Sequence, residues 1–149
     1  MVVSASGAPH LRVRKGTMPL LNGVLRTNSI RSKASLTIVR PDATLKRLAQ
    51  EMANEIARTG VMSHKNEAGK GVKERVLDPY PKYSFACENL AAGFDDCKPL
   101  FEAWMNSEKH RENLLSDLGN RFGIASARNA AGRRYWVMII AREAATRKR

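Results

Sequence analysis

The sequence predicts an α+β fold, a three-layer α-β-α sandwich in which a small antiparallel sheet lies between helices. Three observations carry this. Leu45, Leu48, Ala49, Met52, Ala53 and Ile56 recur at helical spacing and draw one apolar stripe. Near the end of the chain the period switches to two: Phe122–Ala127 and Arg133–Ala141 read as strands, joined as a hairpin at Asn129-Ala130-Ala131-Gly132. In the second strand Tyr135, Val137 and Ile139 face one way, while Trp136, Met138 and Ile140 face the other. A strand that is apolar on both faces has to be covered on both.

The elements follow in order. Residues 1–18 carry Ser, Gly, Pro and basic residues without period and read as a flexible basic arm. The domain proper is expected over 19–141, with a basic tail at 142–149. Leu20, Leu21, Val24 and Leu25 give a short first helix, and 28–40 a basic connection. The striped helix starts at Pro41-Asp42, with Asp42 as N-cap, and stops at Gly60. Ser63-His64 follows at once, so His64 belongs to a loop at a helix end. Residues 65–82, with Gly69, Gly71, Pro79 and Pro81, read as loop with one helical turn near Val72–Val76. Tyr83–Cys87 is a short extended lead into Glu88. Cys97, Leu100, Phe101, Trp104 and Met105 have helical period, and Pro99 is tolerated in the first turn. Ser107 can cap a further short helix bearing His110, Asn113 and Leu114.

At 149 residues one domain with a real core is the default. No apolar run approaches the roughly 18 residues that would suggest a membrane-spanning helix. The net charge of +12 is uneven: nine Lys/Arg against one acid in the first fifty residues, and four against one in the last eight. Basic ends favour anionic surfaces, against the plainer reading of a solvated arm. Nucleic acid is disfavoured, because the basic stretches carry no interleaved aromatics and no recognised motif. Arg12, Arg14 and Lys15 resemble the charged start of an export signal. The apolar stretch after them is broken by Asn22 and Gly23, so no clear signal peptide is present. Cys87 and Cys97 leave two states open, one disulfide or two buried thiols.

Chemistry-bearing residues concentrate in two places. One is Ser63-His64. The other runs from Cys87-Glu88-Asn89-Leu90 to His110-Arg111-Glu112-Asn113. Two of the three histidines fall here. Two imidazoles and nearby carboxylates on separate segments are ligand types that zinc accepts. The plainer alternative is a hydrogen-bonded polar network that holds loops together. No Gly-x-Ser-x-Gly elbow and no His-Glu-x-x-His occurs, which leaves no confident catalytic residue.

The ordered set of helix, Ser-His, Glu-Asn-Leu, Trp-bearing helix, His-Arg-x-Asn and Tyr-Trp strand resembles the CAP superfamily. This is the SCP/TAPS group, named for cysteine-rich secretory, antigen 5 and pathogenesis-related 1 proteins. The match is closest to its short bacterial branch and covers about residues 19–141. The resemblance implies the α-β-α sandwich independently. It also implies a cleft lined by two His and two acids: His64, Glu88 and His110, with Glu108 as the second acid. Ser63, Asn89 and Asn113 would support it. A divalent cation such as Zn²⁺ is the implied cofactor. A non-enzymatic extracellular module for lipid, sterol or another ligand is the implied function, with a metal-dependent, protease-like hydrolase as the alternative. Secretion or a periplasmic location is implied, and a monomer is expected.

Overall fold

The computed structural model describes residues 2–4 and 19–145. A five-stranded sheet lies between helices, as the two-faced strand demands. Its strands are β1 (Val2–Ser4), β2 (Arg40–Pro41), β3 (Tyr83–Ala92), β4 (Arg121–Arg128) and β5 (Arg134–Glu143). The order across the sheet is β1-β3-β5-β4-β2. β5 pairs antiparallel with β3 and β4, and the short edge strands β1 and β2 run parallel to their neighbours. The helices are α1 (Pro19–Lys33), α2 (Ala43–Thr59), α3 (Cys97–Met105) and α4 (Glu108–Leu114), with a π-helical turn at Lys73–Leu77.

The alternation in β5 divides the core in two. Tyr135, Val137 and Ile139 pack with the α2 stripe, Leu45 to Ile56. Trp136, Met138 and Ile140 pack on the opposite face with Val24 of α1, Leu100, Phe101 and Trp104 of α3, and Leu114 of α4. Each such fully buried side chain contributes about 1.5–3 kcal/mol. Asp42 caps α2 by accepting the Leu45 N–H at 3.0 Å, and Gly60 closes it in the left-handed region at φ 72°. Gly123 on β4 lets α2 lie directly on the sheet. A Cβ there would meet the Leu45 carbonyl carbon and the Lys46 nitrogen at 2.4 Å.

The structure departs from the sequence reading at four places. α1 continues through Lys33, so half of the expected connection at 28–40 is helix. Its inward face there is polar, with Thr27 and Arg31 completely buried, and a count of apolar residues passes over it. β3 runs on through Glu88 and Asn89 to Ala92 instead of stopping near Cys87, because its polar pair is satisfied inside the fold. Val2–Ser4 of the expected arm forms β1 against Leu90–Ala92. β5 reaches Glu143, two residues into the expected tail. The remainder of the arm, Met1 and 5–18, and 146–149 of the tail lie outside the described residues.

Both cysteines are free thiols. Cys87 packs beside α4, and burial pushes its thiol up to about 12. None of the described helices is long and apolar enough to cross a membrane.

Candidate functional site

Among the described residues β1 covers only the last three residues of β3, and no strand lies beside Glu88 on that edge. A cleft of about 540 Å³ lies there, lined by His64, Glu88, Lys109, His110, Glu112 and Asn113. It sits between the loop after α2 on one side of β3 and α4 on the other.

Glu88 shares a strand face with Leu90 and Ala92, toward α2, and its carboxylate is completely buried. Burying an ionised carboxylate requires a partner. Arg75, on the π-helical turn, supplies it: Nη2 lies 2.8 Å from both Oε1 and Oε2. The same nitrogen donates to the His64 carbonyl at 2.9 Å, and Nε donates to the Lys70 carbonyl at 3.3 Å. The half-exposed His64 ring completes the group, with Nδ1–H donating to Glu88 Oε1 at 3.0 Å. One guanidinium therefore neutralises the acid and ties down the loop that presents His64.

The other wall hangs from β3 through amides. Asn89 Nδ2 donates to the His110 carbonyl at 3.0 Å. Asn113 Nδ2 donates to Asn89 Oδ1 at 2.8 Å and to the Glu88 carbonyl at 3.2 Å. These bonds clamp α4 to the strand. The His110 ring is buried, and its Nδ1 is hydrogen-bonded to Ser107 Oγ at 2.8 Å. Ser107 thus precedes α4 as expected, but its hydroxyl meets the ring of His110 and makes no cap to a backbone N–H.

His64, Glu88, His110 and Asn113 are brought together, with Asn89 beneath them. Ser63 is not: it lines a neighbouring groove, where its hydroxyl accepts the Lys65 N–H at 3.1 Å. Glu108 is not brought into this group either. The Trp-bearing helix ends at Met105, α4 starts afresh at Glu108, and that first-turn side chain is exposed and outside the cleft lining. Glu112, one turn further on, occupies the wall instead. The sequence reading placed Glu112 in the right stretch without giving it a role, and missed Lys109 and, above all, Arg75. In Lys73-Glu74-Arg75 nothing distinguishes the arginine that turns inward from its two exposed neighbours.

The donor set as arranged does not fit the implied divalent cation. The one buried carboxylate has both oxygens engaged by Arg75, and among the described residues no group of three or more His, Cys, Asp and Glu is placed to hold a metal ion. No chemical step is therefore assigned to a metal.

The profile of the cysteine-rich secretory protein family, CAP, matches residues 24–140. Two curated proteins of Bacillus subtilis (strain 168), YkwD and the membrane protein YlbC, are each 28% identical over 98 residues. That stretch is 66% of this chain but only 38% and 28% of theirs, so the chain spans well under half the length of either relative. Among solved structures, an outer surface protein from Borrelia burgdorferi superposes with a TM-score of 0.78 at 20% identity, covering 86% of this chain and 95% of that one. An extracellular SCP-domain protein from Bacillus anthracis str. Ames gives 0.72 at 22%, covering 84% and 40%. A cysteine-rich secretory protein from Staphylococcus aureus subsp. aureus Mu50 gives 0.68 at 22%, covering 89% and 40%. At these identities the structural likeness is one of fold.

Proposed function

The chain belongs to the cysteine-rich secretory protein (CAP) family, and from that premise we propose that it is a non-enzymatic extracellular binding module whose His64–His110 cleft receives a lipid or sterol. The observation that carries this reading is the state of Glu88. A general base needs a carboxylate with a lone pair free to take a proton. Here three of the roughly four lone-pair sites of a carboxylate accept hydrogen bonds, two from Arg75 and one from His64, and the remaining site on Oε2 has the guanidinium beside it. The arrangement favours a preformed, rigid recess over an acid–base pair. Three structural neighbours described as outer-surface, extracellular and secretory proteins support the compartment. The positive chain ends would draw the module toward anionic lipid, at about 1 kcal/mol per charge near the surface.

The test is co-sedimentation with phosphatidylglycerol vesicles, with and without cholesterol, for the wild type and a His64→Ala/Lys109→Ala variant. The expected result is binding by the wild type that weakens at least tenfold in the variant. Binding that survives in the variant but vanishes in high salt is surface adsorption by the basic ends, and overturns the cleft as the lipid site. Zinc-dependent hydrolysis of casein by the wild type, lost in Glu88→Gln, would make the protein a hydrolase instead.

A further inference from the structure

We propose that the two connections clasped together at Ile38 and Leu118 form a membrane-docking edge, which sets two aliphatic side chains into the interface of an anionic lipid bilayer. Both side chains are large, apolar and about half exposed, at 53% and 49%. Ile38 belongs to the connection between α1 and β2, and Leu118 to the connection between α4 and β4. Arg31 brings the two together. Its Nε donates to the Thr37 carbonyl at 2.8 Å and its Nη2 to the Gly119 carbonyl at 3.2 Å, the residues next to each tip. The pairing of β2 with β4 continues the alignment, with Arg40 opposite Arg121 and the Arg40 N–H donating to the Asn120 carbonyl at 3.0 Å. Neither tip is loose. The Asn28 side chain grips Val39 through both its N–H and its carbonyl, at 2.8 and 2.9 Å, and the Val39 side chain is buried. Gly119 lies so close to the sheet that a Cβ there would meet Ile140 Cγ2 at 2.2 Å. Apolar tips held outward on fixed backbone lose little conformational entropy when a partner covers them.

The charges around the pair name the partner. Lys33, Arg40 and Arg142 are exposed, and Arg142 Nη1 reaches the Leu118 carbonyl at 3.4 Å. Arg121 is matched by Glu143 at 3.0 Å, and Asp117 is the one exposed acid of the two connections. Aliphatic tips ringed by cations suit the boundary between acyl chains and anionic headgroups. The tips enter the apolar side while the cations stay with the phosphates. A protein partner fits less well. A stable protein interface buries about 800 Å² per partner around aromatic anchors, and neither connection contains an aromatic residue. None of the edge residues lines the His64 cleft, so docking through this edge leaves the cleft free for its own ligand.

The test is co-sedimentation with phosphatidylglycerol vesicles for the wild type, Ile38→Ser/Leu118→Ser, Arg40→Gln/Arg142→Gln and the control Val61→Ser. Val61 is an exposed apolar side chain on the loop after α2, away from this edge. A further variant, Leu118→Trp, reports insertion through quenching by brominated phosphatidylglycerol, read against the wild type, whose Trp104 and Trp136 are buried. The serine pair should weaken binding at least tenfold and the glutamine pair roughly 25-fold, with Val61→Ser unchanged and all melting temperatures alike. Leu118→Trp should be quenched beyond the wild-type signal. A loss in the serine pair, at constant charge, separates this edge from adsorption by the basic chain ends. Wild-type affinity retained by the serine pair overturns the proposal. So does a vesicle-bound Leu118→Trp variant that is not quenched, and so does a wild type that does not bind. The cleft reading fails separately: if the serine pair is weakened and His64→Ala/Lys109→Ala is not, the edge stands and the cleft reading falls, and the reverse pattern overturns the edge alone.

Discussion

Arg31 and Arg75 both turn a guanidinium into the fold, and they are satisfied in opposite ways. Arg31 of α1 is completely buried and meets no carboxylate among its hydrogen-bond partners. Nε donates to the Thr37 carbonyl at 2.8 Å, Nη1 to those of Leu114 and Ser116 at 3.0 and 2.7 Å, and Nη2 to that of Gly119 at 3.2 Å. Burial pulls this guanidinium below its ordinary value. Four backbone dipoles, two of them at the C-terminal end of α4 and just beyond, hold the charge where the helix is most electronegative. Arg75 instead sets its charge against one acid, at the wall of an open cleft. The difference teaches what each can do. Backbone carbonyls cannot leave or change charge, so Arg31 staples α1 to the α4–β4 connection. A carboxylate can be competed for or replaced, so Arg75 sets the electrostatics of a recess.

The largest break in this comparison is expected from Arg31→Met. It strands four carbonyls and should cost about 3–5 kcal/mol, read as a fall in the urea midpoint. A loss below about 1 kcal/mol would mean that water replaces the guanidinium and the staple is no staple. A second experiment asks whether Arg75 is replaceable. Arg75→Ala should cost about 3 kcal/mol by leaving the buried Glu88 carboxylate with only its His64 hydrogen bond, and adding Glu88→Gln should recover part of that loss. Strict additivity of the two changes would show that the pair does not act as a unit.

The smallest effect comes from Cys87, on β3 next to Glu88. Its thiol is pushed up to about 12 in the folded chain by burial, against an ordinary 9.0. As pH rises past 9 the unfolded chain releases this proton while the folded chain keeps it, so stability falls toward pH 12. The loss should be about 1 kcal/mol between pH 9 and 10, and Cys87→Ala should remove it. Melting curves of the two proteins at the two pH values, if parallel, would contradict the burial of this thiol.

Much of the fold was legible because apolar spacing encodes it. The α2 stripe, its Asp42 and Gly60 ends and the two faces of β5 all stand as read. What escaped is polar and inward-facing. The second half of α1 is helical around Thr27 and Arg31, and periodicity counts such residues as solvent-facing. The candidate site was half legible for the same reason. His64, Glu88 and His110 stood out by type and order. Arg75 did not, because its partner lies thirteen residues away across a loop that the sequence does not trace. Glu108 was carried over from the resemblance and not read from its own surroundings; in the first turn of α4 its side chain is exposed and outside the cleft lining.

The strand order has a consequence for how the chain is made. β5 is the middle of the sheet and the last of its strands in sequence. Until Arg134–Glu143 has been synthesised, β3 and β4 have no common partner and both halves of the core lack their centre. Stable tertiary structure therefore waits for the C-terminal strand: its hairpin with β4 is local, but its pairing with β3 is long-range and slow to find. A chain threading through a pore would remain unfolded until almost all of the domain had passed, and folding would then begin on the far side.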